Sequence, residues 1–90
     1  MKIIKFNAIW CSGCIVMKNA MKEIEKLYPN IEYQSYDYDM DEEERKKYNI
    51  GEIIPVLVFE DNNGNEIGRL IGEKSKKEII KEIERLSWKK

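Results

Sequence analysis

Two cysteines separated by two residues constrain this chain more than any other feature. Cys11 and Cys14 are the only cysteines in 90 residues, and they stand between a short apolar segment and a helix-patterned one. The N-terminus of an α-helix carries a partial positive charge of roughly half an electron, which stabilises a thiolate relative to a thiol. A thiolate attacks disulfides, and a second thiol one turn further along can displace the first product. The pattern therefore predicts a dithiol that exchanges with disulfides.

The composition is that of a single globular domain spanning residues 1–90. Apolar residues make up 42% of the chain and only 2 prolines occur, a composition that does not favour disorder. The 16 basic residues nearly balance the 17 acidic ones, and a net charge of -1 offers no electrostatic basis for binding nucleic acid or an anionic membrane. No apolar run approaches the roughly 18 residues that a membrane-spanning helix requires. We therefore expect neither a nucleic-acid partner nor a membrane partner.

The N-terminal segment bears on the cellular compartment. Residues 1–4 start like a signal peptide, but Lys5 and Asn7 interrupt the apolar stretch before it reaches the roughly 7 residues of a signal core. We therefore expect a cytoplasmic protein. In that compartment a lone Cys-x-x-Cys is more often catalytic or metal-binding than a structural disulfide.

Hydrophobic periodicity predicts four strands and three helices. Apolar and β-branched runs predict strands at residues 2–6, 31–38, 53–59 and 66–71. Apolar residues at three- and four-residue spacings predict helices at residues 12–27, about 41–48 and, after a capping box formed by Ser75 and Glu78, up to about residue 86. The order β-α-β-α-β-β-α favours a parallel, right-handed first unit and a final antiparallel hairpin. It predicts an α/β fold with a four-stranded mixed sheet flanked by helices on both faces.

The residues resemble the thioredoxin family along nearly the whole chain. The signature is Trp10-Cys11-Ser12-Gly13-Cys14, followed by Ile54-Pro55 at the head of a predicted strand and by Gly72 after the hairpin. The element order is similar to the minimal core of the family, without the extra N-terminal strand and helix of full-length members. Each piece is weak alone, but the combination is specific. The resemblance implies a thioredoxin-like fold and the activity of a protein disulfide oxidoreductase.

The resemblance also implies roles for the residues around the cysteines. Cys11 is expected to be the exposed nucleophile at the start of the helix. Cys14 is expected to be less exposed and to resolve the mixed disulfide that Cys11 forms with the substrate. Trp10 is expected to pack beside the pair and limit its solvation.

A substrate groove beside the cysteines is implied in the same way. Pro55 stands where the family has a cis-proline facing the disulfide, which leaves the backbone edge at Ile54 free to pair with an extended substrate chain. Gly72 matches a small residue at the groove, where a side chain would block the substrate. Ile15 follows the second cysteine where thioredoxins commonly have a lysine, and helix periodicity allows it to face either the core or the surface. We expect an apolar docking rim formed by Trp10, Ile15, Ile54 and the backbone of Gly72.

Lys5 departs from the family pattern. Thioredoxins often carry a buried acid that helps to deprotonate the resolving thiol, and Lys5 occupies the matching position in the first predicted strand. A lysine beneath the site would favour thiolate but cannot act as the same base. Asp39 and Glu52 are candidate substitutes that the sequence does not distinguish. Ser12 and Gly13 stand between the cysteines where thioredoxins usually have Gly-Pro, so the sequence leaves the redox potential open.

Two other functions are compatible with the sequence. A glutaredoxin-like reductase that depends on glutathione fits the small size, but Ile54 precedes the proline as in thioredoxins and no Gly-Gly pair follows the hairpin. The other is a dimeric module in which Cys11 and Cys14 of two subunits share a metal or an iron–sulfur cluster. A zinc site normally takes four ligands, and this chain has no histidine and only 2 cysteines.

The exchange hypothesis carries expectations about partners. We expect disulfide-containing proteins as substrates and a thioredoxin reductase or a similar protein as electron donor. The protein is expected to act as a monomer, with no bound metal and no cofactor other than its own Cys11–Cys14 disulfide.

Overall fold

Four strands and three helices follow one another in the order that the sequence predicts. The computed structural model describes residues 1–88. In chain order the elements are β1 (Lys2–Asn7), α1 (Ser12–Leu27), β2 (Glu32–Asp37), α2 (Glu42–Lys47), β3 (Val56–Glu60), β4 (Glu66–Ile71) and α3 (Lys76–Trp88). Within this part of the chain, none of the helices combines the length and the apolar character needed to cross a membrane.

The strands form one mixed sheet in the order β2-β1-β3-β4. Strands β1 and β2 are parallel, as the crossover through α1 requires. Strand β3 pairs antiparallel with both β1 and β4. Every residue of β3 is buried, which explains why its sequence is nearly continuously apolar and lacks alternation. The predicted α/β architecture and the parallel first unit are confirmed.

Side-chain alternation along the two central strands divides the core into two layers. Ile3 and Leu57 point to the face covered by α1 and α3, in a buried cluster that also contains Met17, Met21, Ile24, Phe59, Ile79, Ile83 and Leu86. Ile4 and Val58 point to the opposite face, in a cluster with Phe6 and Val56 that is covered by Tyr36, Tyr48, Ile50 and Ile54. Because both faces of the central strands are covered, the sheet is the rigid support on which the loops at its ends are held.

The start of β3 differs from the prediction. The apolar run predicts a strand from residue 53, but β3 begins at Val56. Pro55 has no N–H to donate to a sheet ladder, and its carbonyl oxygen accepts a hydrogen bond from the Gly72 N–H at 2.8 Å. Ile53 and Ile54 therefore belong to the loop that precedes the strand. This loop lies beside the cysteine pair, since Ile54 packs with a small buried cluster formed by Ala8, Cys11 and Cys14.

Candidate active site

Cys11 is the N-cap residue of α1. Its backbone is extended, and its Sγ accepts a hydrogen bond from the Cys14 N–H at 3.2 Å. The Cys11 N–H donates to the Ala8 carbonyl at 3.2 Å. Hydrogen bonds thus link Cys11 both to the preceding turn and to the first turn of α1. The Cys11 thiol also points to the Ile54 carbonyl oxygen, 3.7 Å away. Both cysteines are free thiols in this structure.

The exposure of Cys11 is smaller than predicted. Cys11 is only 8% exposed and Cys14 is 3% exposed, so the prediction of an exposed nucleophile needs correction. The reason is the capping geometry, which turns the sulfur back toward the first turn of α1 and against the Ile54 carbonyl. The predicted ranking of the two exposures holds, because Cys11 is more accessible than Cys14.

The environment of Cys14 keeps its thiol protonated. Burial raises the pKa of the Cys14 thiol to about 11, and the contact with Cys11 adds to the rise. The backbone of Ala8 and the positive charge of Lys5 act in the opposite direction on the same pKa. A thiol held in this state is a poor first nucleophile, because the thiolate is the reactive species.

Lys5 lies on the face of β1 that α1 covers, as the alternation with Ile3 and Ile4 requires. The lysine is half-buried, and burial lowers the pKa of its ammonium below the usual value. The negative charge of Glu25 opposes this lowering of the Lys5 pKa, and so does the charge of Cys14 when it is a thiolate. Lys5 therefore interacts electrostatically with the inner cysteine.

Trp10 stands on the rim of the site. It is 60% exposed, so most of its surface faces solvent and it covers the cysteines less than predicted. Its indole Nε1–H donates to Asp39 Oδ2 at 2.7 Å. Its ring meets the ring of Tyr38 edge to face, with 6.1 Å between the centroids, and the Tyr38 hydroxyl donates to the Gly51 carbonyl at 3.0 Å. Asp39, a candidate base in the sequence, instead positions the tryptophan.

The loop opposite the cysteines is built around Pro55 and Gly72. The Ile54–Pro55 peptide bond is cis, and Pro55 is buried. Gly72 has a φ of 91°, a left-handed conformation that glycine adopts at little cost. A Cβ built at Gly72 would approach only Ile53 Cγ2, at 3.9 Å. The backbone conformation at position 72 therefore favours glycine, whereas no neighbour among residues 1–88 would crowd a side chain there.

Glu73 is a site residue that the sequence analysis missed. A Cβ built on Gly13 would lie 3.0 Å from Glu73 Oε1 and 3.5 Å from Pro55 Cδ. The glutamate carboxylate therefore lies against the first turn of α1, and Pro55 lies close to the same point. Nothing in the pattern of residues around Glu73 indicates this contact, because it joins positions 60 residues apart. The Gly13 position between the cysteines is the only local signal, since it leaves the space that the carboxylate occupies.

Exposed apolar side chains lie close in the sequence to the residues of the site. Ile15 is 61% exposed, so of the two orientations that helix periodicity allows, the structure has the surface one. Ile54 is half-buried. The apolar rim therefore differs from the predicted docking rim: it comprises the exposed side chains of Ile9, Trp10, Ile15, Ile53 and Ile71, and it leaves out Ile54 and Gly72.

Comparison with known proteins places the chain in a family. The family model described as Thioredoxin matches residues 1–85. The chain belongs to the thioredoxin family. The resemblance predicted from the Trp10–Cys14 motif, Pro55 and Gly72 is thereby confirmed.

Individual thioredoxins show how far the similarity extends. Thioredoxin H5 of Oryza sativa subsp. japonica is 34% identical over 70 residues, which cover 78% of this chain and 50% of that protein. Thioredoxin H7 of Arabidopsis thaliana is 32% identical over 82 residues, which cover 91% of this chain and 61% of that protein. The chain thus spans less than two thirds of either relative. The X-ray structure of Fasciola hepatica thioredoxin superposes with a TM-score of 0.84 at 27% identity, covering 93% of this chain and 78% of that one. The predicted thioredoxin-like fold is confirmed.

Proposed function

We propose that the chain is a thiol–disulfide oxidoreductase that reduces disulfide bonds in proteins through Cys11 and Cys14. The observation that carries the proposal is the pair of free thiols at the N-terminus of α1, where Cys11 Sγ accepts the Cys14 N–H at 3.2 Å. Membership of the thioredoxin family supports the general class of reaction. The proposal includes no cofactor other than the Cys11–Cys14 disulfide that the reaction forms.

Two exchange steps account for the chemistry. In the first step the Cys11 thiolate attacks one sulfur of the substrate disulfide, a bond forms between the two sulfurs, and the other substrate sulfur leaves as a thiolate. In the second step the Cys14 thiolate attacks Cys11 Sγ, the Cys11–Cys14 disulfide forms, and the remaining substrate thiolate leaves. Two electrons pass to the substrate, and a thioredoxin reductase or similar donor then returns two electrons to the protein.

The structure supports this order of the two thiols. Cys11 is the more accessible thiol, at 8% against 3% for Cys14. Burial also raises the pKa of Cys14 to about 11, which disfavours Cys14 as the first nucleophile. We therefore assign Cys11 as nucleophile and Cys14 as resolving thiol.

The substrate chain is proposed to lie along the loop that precedes β3. Ile54 is outside the sheet, and its carbonyl oxygen lies 3.7 Å from Cys11 Sγ. A substrate strand paired with this backbone would bring its disulfide to the nucleophile. We propose that Pro55 and Gly72 shape the groove, since the Gly72 N–H holds the Pro55 carbonyl at 2.8 Å, and that Trp10 borders the groove.

Reduction of insulin by the purified protein tests the proposed function. With dithiothreitol as electron source, the wild type should accelerate insulin reduction over dithiothreitol alone, and Cys11→Ser should abolish the acceleration. Parallel reactions with a thioredoxin reductase, or with glutathione and its reductase, identify the class of electron donor. An absence of acceleration by the wild type with all three electron sources would contradict the proposal.

Trapping of mixed disulfides tests the assignment of the two thiols. In Cys14→Ser the second step is blocked, so substrates should accumulate as mixed disulfides on Cys11. Non-reducing electrophoresis followed by peptide mass mapping locates the linkage. Accumulation through Cys14 in the reciprocal Cys11→Ser variant, with none through Cys11, would reverse the assignment.

The alternative in which two subunits share a metal is tested on the same protein. We expect protein purified without oxygen to be a monomer by light scattering and to contain far less than one metal ion per chain. A dimer that carries stoichiometric zinc or iron, bound through Cys11 and Cys14, would favour the metal-sharing function.

A further inference from the structure

We propose that Glu73 makes this protein prefer disulfides flanked by a positively charged residue. The inference rests on the proposed function, because it concerns the choice among substrates of the same exchange reaction. It assigns a specificity role to a carboxylate that the exchange chemistry itself does not use.

Glu73 lies close to both the cysteine motif and the proline loop. Its Oε1 lies 3.0 Å and its Cβ 3.4 Å from the place that a Gly13 Cβ would occupy, and Pro55 Cδ lies 3.5 Å from the same place. Gly13 stands between the two cysteines, and Pro55 follows the Ile54 carbonyl that contacts Cys11. A substrate chain that reaches Cys11 along the Ile54–Pro55 loop would therefore lie near this carboxylate.

The backbone on both sides of Glu73 is held in place. The Gly72 N–H donates to the Pro55 carbonyl at 2.8 Å, and the Lys74 N–H points to Met17 Sδ at 3.4 Å. Shortly afterwards Ser75 caps α3, since its Oγ accepts the Glu78 N–H at 3.2 Å. These contacts keep the Cα of Glu73 close to the proline loop and α1, and therefore limit the region that its carboxylate can reach.

The charge of Glu73 is available to a partner. The glutamate is exposed, and the side-chain ion pairs formed among residues 1–88 do not include it. Asp39, a second carboxylate close to the site, already accepts the Trp10 indole N–H at 2.7 Å, and a third, Glu52, is exposed before Ile53. Two side chains of the apolar rim, Ile53 and Ile71, belong to the same two segments as Pro55 and Glu73. Glu73 is thus an exposed negative charge beside apolar side chains, and a lysine or arginine near the substrate disulfide is the complementary group.

Gly13 leaves room for this arrangement. A side chain at position 13 would shift the carboxylate by a few tenths of an ångström, since its Cβ would lie 3.0 Å from Glu73 Oε1. The Ser12-Gly13 pair between the cysteines therefore leaves room for Glu73, which links this departure from the usual Gly-Pro of thioredoxins to substrate selection.

Rates for three matched peptides test the inference. The peptides are cyclised through one disulfide and differ only in the residue beside one cysteine, which is Lys, Gln or Glu. For the wild type at low salt we expect kcat/KM to follow the order Lys, Gln, Glu, with about threefold between Lys and Gln, because exposed ion pairs contribute a factor of up to about five. The preference should shrink at 0.5 M salt, where the Debye length falls below about 5 Å.

Substitutions at Glu73 and at a distant glutamate distinguish a local effect of Glu73 from an effect of the net charge of the protein. Glu73→Gln should remove the preference, and Glu73→Lys should reverse it in favour of the Glu peptide. Glu84→Gln, at an exposed position of α3 about 12 Å along the helix from its start, changes the net charge by the same amount as Glu73→Gln and should behave as the wild type.

The outcomes distinguish the two proposals. Reduction of all three peptides at equal rates by the wild type would overturn the role of Glu73 and leave the exchange function standing, and so would a preference that persists in Glu73→Gln. Failure of the wild type to reduce any of the peptides would overturn the exchange function, and this inference with it.

Discussion

Single residues in the site differ in how directly the sequence reveals them. The thiol pair and Pro55 could be predicted because each is a local pattern with a known chemical use. The contacts of Asp39 and Glu73 could not, since the hydrogen bond from Trp10 to Asp39 spans 29 residues and the approach of Glu73 to Gly13 spans 60. Only the packing of β2, α1 and the loop after β4 around one end of the sheet creates these pairs.

Lys5 also acts on the site at the scale of a single residue. The sequence placed it at the position of the family's buried acid, and the structure shows that its charge lowers the pKa of Cys14 against the rise that burial causes. An ammonium stabilises a nearby thiolate, whereas a carboxylate accepts its proton. We therefore expect Lys5 to assist the second exchange step through its field.

Replacement of Lys5 by methionine tests this expectation. Lys5→Met removes the charge and should raise the Cys14 pKa further, so the thiolate fraction at pH 8 falls and the second step slows by up to about threefold. The measurement is the second release of thionitrobenzoate after the reduced protein reacts with Ellman's reagent, followed by stopped flow between pH 7 and pH 10. The rate of the second step should rise with pH in both proteins, and the rise for Lys5→Met should occur at a higher pH than the rise for the wild type.

A matched substitution controls for net charge. Lys22→Met removes an exposed positive charge two turns further along α1 than Cys14, and its profile should coincide with the wild type. If Lys5→Met also coincides with the wild type, Lys5 has no effect on the resolving thiol.

The secondary-structure elements were predicted well because their signals are local and repeated. The 16-residue helix α1 and the strand β4 begin and end where apolar spacing and turn residues predict. The exception, the late start of β3, lies where an apolar run includes Pro55. The local sequence cannot show that the Pro55 carbonyl accepts a hydrogen bond from the Gly72 N–H, because that bond depends on the pairing of β3 with β4.

Helix α1 contributes an apolar surface as well as the thiols. Ile15 is 61% exposed beside the inner cysteine, although burial of an isoleucine is favourable and its exposure therefore carries a cost. The rest of the apolar rim lies on neighbouring loops and on the end of β4. We propose that protein substrates dock on this rim, which small disulfides do not need.

Substitution of Ile15 by lysine tests docking. Ile15→Lys should change the free energy of unfolding by no more than about 0.5 kcal/mol, because the position is exposed. It should slow the reduction of insulin more than the reduction of a small aromatic disulfide. Leu27→Lys, at a position of α1 that is 56% exposed at the other end of the helix, should leave both rates unchanged. A large loss of stability with an equal effect on both substrates would contradict the docking role.

At the scale of the whole molecule, the buried sheet supports a site made from loops. The segments that carry Cys11, Asp39, Ile54 and Glu73 follow or precede strands at the same end of the sheet. The same burial that makes the scaffold rigid also encloses titratable groups. Burial raises the pKa of Cys14 to about 11, and burial with the hydrogen bond to Glu60 raises the pKa of Tyr48 to about 12. Both groups are more easily ionised in the unfolded chain.

The stability of the reduced protein should consequently fall in alkali. Between the ordinary Cys14 pKa of 9.0 and the folded pKa of about 11, the folded state keeps a proton that the unfolded state has lost. The folded state then binds more protons, so the free energy of unfolding decreases as the pH rises through this window. Tyr48 adds a decrease of the same sign between its ordinary pKa of 10.0 and about 12.

Removal of the inner thiol isolates the Cys14 contribution. Urea unfolding of the reduced wild type and of reduced Cys14→Ser, at pH 8 and at pH 10.5, gives the fall in unfolding free energy for each protein. The fall for the wild type should exceed the fall for Cys14→Ser by about 1 kcal/mol or more, because one pKa unit corresponds to about 1.4 kcal/mol, while the Tyr48 contribution is common to both proteins and cancels. Equal losses in the two proteins would show that the Cys14 proton is held no more tightly in the folded state than in the unfolded chain. That result would also remove one of the two reasons for assigning Cys14 as the second nucleophile, and would leave the assignment on accessibility alone.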